Sequence, residues 1–170
     1  KYCINDIKFS EEKLSNTNNF LIFINFTYIN APYGGGNSFV MKFIKHISNT
    51  KCKIIYDLEN NNNIDIYFLI DIRKDRTNKK YTFNEILNHK KNINKKKSKI
   101  IYRINDCDIT RQESVLEPLI LLNINNIDIF IFNSQFIKNY YFNKYTEFIN
   151  VKWDIVYNTV DNEIFNPSPI

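Results

Sequence analysis

Apolar residues in this chain fall into short dense runs that alternate with stretches where they recur every three or four positions. Residues 20–26 are a nearly continuous apolar run, the pattern of a strand buried on both faces. Behind it, Phe39, Val40, Phe43, Ile44 and Ile47 make one stripe at helical spacing. Asn37 or Ser38 is placed to cap that helix, because a short polar side chain accepts from its free N–H groups. The alternation then continues, predicting strands at 51–56, 64–70, 99–104, 127–132 and 153–157, with a turn at 60–63. A helix is predicted over 81–94, with Phe83, Ile86 and Leu87 inward. Another covers 112–123, where Pro118 either kinks it or opens a new first turn. A last one follows Ser134, with Phe136, Ile137, Tyr140 and Tyr141 on one face. Residues 1–19 are polar and weakly patterned and read as a lead-in segment.

Strands that alternate with amphipathic helices predict an α/β fold, a parallel sheet flanked by helices on both faces. Ligands of such sheets sit beyond the C-terminal ends of the strands. The loops that matter are therefore 31–38, 57–63, 71–80, 104–111, 133–134 and 158–162. The chain shows no internal repeat, its 170 residues fit one domain, and the proline-punctuated stretch 166–170 reads as a boundary.

Composition narrows the classes. Hydrophobic residues make up 44%, enough to bury a core, so the many Asn and Lys residues do not imply disorder. The net charge of +5 suits contact with something anionic. No RNA-binding aromatic signature or zinc-finger spacing accompanies it, so nucleic acid is not an expected partner. Cys3, Cys52 and Cys107 are odd in number and contain no CxxC pair. That argues against a disulfide framework or zinc site and for a reducing, cytoplasmic compartment. No apolar run is long enough to span a bilayer. His46 and His89 lack any ligand spacing and read as surface or helix residues. The basic run 90–99 reads as a solvated helix end, with peripheral membrane contact as the sharper alternative.

Three places carry candidate chemistry. Gly34, Gly35 and Gly36 are the chain's three glycines and stand together. They admit positive φ and close backbone approach, and the helix start behind them offers unpaired donors to a phosphate or sugar hydroxyl. The plainer reading is a tight turn packing strand on helix. A dinucleotide fingerprint starting at Gly34 would pass Gly36 but needs glycine where Phe39 stands, although Asp57 does close the second strand about twenty residues on. The second place is Arg103-Ile104-Asn105-Asp106-Cys107-Asp108-Ile109-Thr110-Arg111. Arg103 follows an apolar strand, where a charge is costly unless paired. Asp106 or Asp108 is suited to orient a hydroxyl or act as a base, and Arg103 or Arg111 to hold an anion. The third is Ser134, chiefly a cap, at a helix start facing the same edge.

These segments resemble, in order, the N-terminal domain of GT-B glycosyltransferases of the retaining, family-four type. The carriers are Ala31-Pro32-Tyr33-Gly34-Gly35-Gly36, Tyr102-Arg103-Ile104-Asn105-Asp106-Cys107-Asp108, the stretch from Ile129 through Phe136, and Tyr157-Asn158-Thr159-Val160-Asp161 followed by Phe165-Asn166-Pro167. Thr159 stands where the family commonly has glycine. The resemblance implies a Rossmann-like, acceptor-side domain over 20–167, with a C-terminal donor-binding domain outside this chain. It implies hexosyl transfer by the longer protein, from a nucleotide sugar to a glycan, lipid or protein acceptor, with this part alone inactive. It implies no metal or other cofactor, the leaving diphosphate being stabilised electrostatically. The substrate-binding candidates are Gly34, Gly35, Gly36, Asn37, Arg103, Asn105, Asp108, Arg111, Ser134 and Asn158, and the catalytic candidate is Asp106. Two other classes stay open: a stand-alone sugar- or nucleotide-binding module, and an NAD-dependent oxidoreductase resting on Gly34, Gly36 and Asp57.

Overall fold

The computed structural model of the chain describes residues 20–30, 34–73, 79–112 and 114–158. Six strands form one sheet: β1 (Phe20–Ile24), β2 (Cys52–Ile55), β3 (Ile66–Leu69), β4 (Lys99–Ile104), β5 (Ile129–Phe132) and β6 (Trp153–Ile155). Every pairing is parallel, in the order β2-β1-β3-β4-β5-β6. The helices are α1 (Gly34–Ile47), α2 (Phe83–Asn88), α3 (Asp108–Arg111), α4 (Leu116–Asn123) and α5 (Gln135–Lys144).

All six predicted strands are present, most of them shorter than their apolar runs. Ile64 and Ile70 flank β3 outside its ladder yet are buried, so hydrophobicity overruns the hydrogen-bonded segment. The chain runs from β1 through α1 to β2, then doubles back past β1 to β3 and onward to β6. Right-handed crossovers in opposite directions put their connections on opposite faces of the sheet. On one face α1 sets Val40, Phe39 and Phe43 against Ile22, Ile24, Phe68 and Ile70. On the other, α2, α4 and α5 close over Phe23, Tyr67, Tyr102, Phe130 and Phe132. The parallel α/β sheet with helices on both faces is therefore the fold.

Helix α2 opens on a capping box: the Thr82 hydroxyl accepts from the Glu85 N–H at 3.3 Å, and the Glu85 carboxylate from the Thr82 N–H at 2.7 Å. It widens into a π turn over His89–Ile93, so the two pieces fill the predicted 81–94 helix. His89 lies in the helix but is buried: its ring bonds the Leu58 carbonyl at 3.1 Å and the Tyr67 hydroxyl at 2.7 Å. In the basic run, Lys90 and Lys99 reach Asp128 at 3.3 and 2.7 Å, and Lys96 reaches Asp65 at 3.0 Å. These lysines tie the run to the starts of β5 and β3, while Lys91, Lys95 and Lys97 stay in water.

Three local expectations are corrected. Helix α1 begins at Gly34, so neither Asn37 nor Ser38 caps it. Asn37 instead clamps the preceding loop, accepting from the Ile29 N–H at 2.7 Å and donating to the Ile29 carbonyl at 2.8 Å. The helix predicted over 112–123 starts only at Leu116: Gln112, with φ 55°, ends the short α3 that precedes it. The Asp108 carboxylate accepts from the N–H groups of Leu116 (3.0 Å) and Glu117 (3.2 Å) and so starts α4 afresh, with Pro118 in its first turn. Phe136 is 64% exposed while Ile137 and Tyr141 are buried, because the inward stripe of α5 runs through positions four apart. The stretches 31–33 and 159–170, with Asp161, Asn162 and Phe165, lie outside the described residues.

Candidate functional site

Connections leave the adjacent strands β1 and β3 toward opposite faces, which opens a crevice at their C-terminal ends, the topological switch point where such sheets bind ligands. A cleft of about 350 Å³ lies there. One wall is the first turn of α1. Gly34 enters the helix at φ +66°, a backbone that a Cβ would strain. At Gly35 an added Cβ would lie 3.4 Å from Nδ2 of Asn158, so the missing side chain lets Asn158 approach the turn. No acidic residue occupies that first turn. A helix start of this kind presents N–H groups and a positive dipole end, with no carboxylate of its own first turn to offset their pull on a ligand.

The floor is laced by asparagines that each follow a strand. Asn25 donates to the Asp71 carbonyl at 2.6 Å and accepts from the Ile70 N–H at 2.8 Å. Asn105 donates to the Ile70 carbonyl at 3.1 Å, and Asn133 to the Asn105 carbonyl at 2.7 Å. A carboxamide carries both donor and acceptor, so it joins backbone groups where parallel strands stop pairing. β1, β3, β4 and β5 are thereby held together at the end that bears the cleft. Asn105 Oδ1 is buried and unpartnered among the described residues.

The remaining wall carries two ion pairs. Arg73 grips Asp71 through Nε at 3.1 Å and Nη2 at 2.8 Å, while its own N–H donates to Oδ1 at 2.9 Å. Burial pushes the Asp71 carboxyl up, but the Arg73 hydrogen bonds and the charge of Lys79 outweigh it, and the net pKa is lowered. Across the cleft, Asp106 accepts from the Thr110 hydroxyl at 2.5 Å and from Nε of Arg111. Two arginines thus meet two aspartates, and the pairs cancel in charge.

The structure brings Gly34, Gly35, Gly36, Asn37, Asn105, Asp106 and Arg111 together around this cleft. It places the other candidates elsewhere. Asp108 caps α4 and lines a separate, shallow depression. Ser134 caps α5, accepting from the Ile137 N–H at 3.2 Å. Arg103 is fully buried beneath α1. Its guanidinium carbon lies 3.9 Å from the centre of the Phe39 ring, and Nη2 donates to Asn158 Oδ1 at 2.6 Å. Asp57 is engaged by Lys80 at 2.6 Å, by the Tyr81 hydroxyl and by the Glu59 N–H at 2.9 Å. These bonds, Lys80 foremost, hold its carboxyl far below the usual range. The acid a dinucleotide ribose would need is thus already engaged by three protein donors. Sequence reasoning missed Asp71 and Arg73, marking only their loop, and missed Asn25. The signal was present for Asn105 and Asn133, which directly follow their predicted strands, but not for Asn25, which falls inside the apolar run 20–26.

Compared with known proteins, the chain matches no family model, no curated protein and no solved structure.

Proposed function

We propose that this chain is the acceptor-side part of a nucleotide-sugar-dependent glycosyltransferase, and that the switch-point cleft holds the saccharide. The observation that carries the reading is a cleft lined by two Asp–Arg ion pairs beside a glycine turn. Asp71–Arg73 and Asp106–Arg111 present both donors and acceptors, and Asn105 Oδ1 adds an acceptor without a partner among the described residues. Vicinal hydroxyls, each both donor and acceptor, suit such a set. Asp106, fixed by Thr110 and Arg111, orients the acceptor hydroxyl. The engagement of Asp57 by Lys80, Tyr81 and the Glu59 N–H disfavours the oxidoreductase alternative.

The test has two arms. NMR titration of the 170-residue chain with methyl glycosides should shift the amides of Gly34–Gly36 and Asn105, with affinity about tenfold weaker in Asn105→Ala. The full gene product containing this chain should release nucleotide from one of a panel of UDP-, GDP- and ADP-sugars. Saccharide binding without release would favour a non-catalytic binding module, and absence of both would sink the proposal.

A further inference from the structure

Helix α4 turns an apolar side to water. Around its axis stand Leu116, Pro118, Leu119, Ile120, Leu121 and Leu122, and a helix that is apolar on every side is ordinarily covered on every side. Leu116 and Ile120 face inward and belong to the core. Val115, Pro118 and Leu122 stay outside, with Val115 53% and Leu122 79% exposed. Their spacing of three and then four puts them in one stripe, the kind of seam along which one helix packs on another. The outward sides of the other helices differ. α1 turns out Ser38, Lys45 and His46, α2 turns out Asn84, Glu85 and Asn88, and α5 sets Phe136 among Gln135, Asn139 and Asn143.

The same side of α4 carries a hole. The shallow depression beside it, about 460 Å³, is lined by Ile109, Gln112, Ser114, Pro118 and Tyr145 among others. One wall is fixed in place: Glu117 accepts from Lys144 at 2.8 Å and from the Tyr145 hydroxyl, so the shape exists before anything enters. Pro118 stands midway between knob and hole. Leu122 follows it by four residues, about 6 Å along the axis, and Ser114 precedes it by four. A two-fold axis at Pro118 that sets two α4 helices antiparallel therefore lays each Leu122 over the depression of the other copy. An isologous interface needs this self-complementarity, and a partner of different sequence does not.

Charge selects the same occupant. From Leu116 to Asn126 the one ionisable side chain is Glu117, and it is buried. Two copies of a chain with net charge +5 repel where their charged faces meet. An uncharged side lets them approach without setting like charges together, whereas an acidic partner would be steered to the lysines.

We propose that α4 is a self-association surface: a second copy of this chain docks on it about a two-fold axis at Pro118, each Leu122 seated in the depression of its mate. Three side chains fall short of the roughly 800 Å² per partner of a standard interface, so the dimer is weak and forms with rising concentration. Dimerisation requires nothing of the saccharide reading.

Sedimentation equilibrium of the 170-residue chain, over a wide range of protein concentration, compares wild type with Leu122→Glu and His46→Glu. Both substitutions add one negative charge, the second at an outward position of α1 on the opposite face of the sheet. Wild type and His46→Glu should pass from monomer to dimer as concentration rises. Leu122→Glu should raise the dissociation constant at least about tenfold. Added salt should tighten the wild-type dimer, because it screens the net charge and leaves the apolar contact. Fluorescence of Trp153 checks that each variant is folded. Should Leu122→Glu fail to fold, Ser114→Arg, which sets a cation at the depression, replaces it with the same expectation. A wild-type monomer throughout would overturn the proposal and leave the face to a different protein. A dimer that salt dissociates, or that Leu122→Glu leaves as tight as wild type, would overturn it too. So would association that grows past the dimer, the mark of a head-to-tail contact in place of a two-fold.

Discussion

Replacing Glu117 by glutamine tests how the loop bearing Asp106 and Arg111 is held. Glu117 is 2% exposed and its carboxylate accepts four hydrogen bonds. Oε1 takes the Asp108 N–H at 2.7 Å and the Tyr140 hydroxyl at 2.8 Å; Oε2 takes Lys144 at 2.8 Å and the Tyr145 hydroxyl. With Asp108 bonded back to the start of α4, the two acids lock loop and helix reciprocally. Glutamine keeps one acceptor oxygen and turns the other into a donor facing Lys144 and Tyr145. The Lys144 ammonium is nearly half exposed and regains water, so its share is small. The Tyr145 hydroxyl loses a charge-assisted bond, which is worth about 1.5–3 kcal/mol. The expected loss is therefore about 2–3 kcal/mol. The single tryptophan, Trp153 in β6, reports unfolding by fluorescence, and urea titration should show a lower midpoint at unchanged slope. A double-mutant cycle with Tyr145→Phe should return most of that energy as coupling. A loss below about 0.5 kcal/mol, the size of an ordinary surface substitution, or zero coupling, would refute the network.

Two further outcomes follow from particular groups. Gly34→Ala places a Cβ in open space at φ +66°, so the penalty is in the backbone alone. Partly offset by reduced freedom of the unfolded chain, it should cost about 1 kcal/mol. Gly34→Asn should cost less, and equal melting of the glycine and alanine forms would contradict the helix entry. Burial of His89 lowers its pKa below the ordinary value, against hydrogen bonds to the Leu58 and Asn61 backbone that raise it. The unfolded state therefore binds the extra proton first. Stability should be fully present above about pH 6.5 and decline as pH falls from there toward the folded-state pKa. Urea midpoints between pH 7.5 and 5.5 check this, and a flat profile in wild type, or an equally steep one in His89→Leu, would remove His89 as the cause.

Much of the fold was legible in the chain. β4 coincides with its predicted span, opening at Lys99 and stopping before Asn105, and the glycine triplet sits where strand punctuation put it, whereas the expected 104–111 loop turns into α3 at Asp108. The site was legible only in part. Asp71 and Arg73 belong to a loop that sequence could mark but not resolve, since their pairing depends on how that loop turns back on itself. Asn25 was hidden inside its apolar run and Asn133 looked like an ordinary strand end, because their partners are 46 and 28 residues away.

By itself the sequence determined the alternation of strands and helices, since buried strands and amphipathic helices impose different periods on apolar residues. It also marked which loops can reach the ligand edge. Only the tertiary structure decided what the charged residues of one nine-residue segment do. Arg111 leaves the sheet and meets Asp106 at the cleft rim. Arg103 stays in β4, where the two-residue period of the strand turns it under α1 and the parallel register sets Ile131, not Asp154, beside it. Asp108 turns away to start α4. Side-chain type fixes what a group can bind, but strand phase and register fix which partners it meets, and those depend on neighbours far away along the chain.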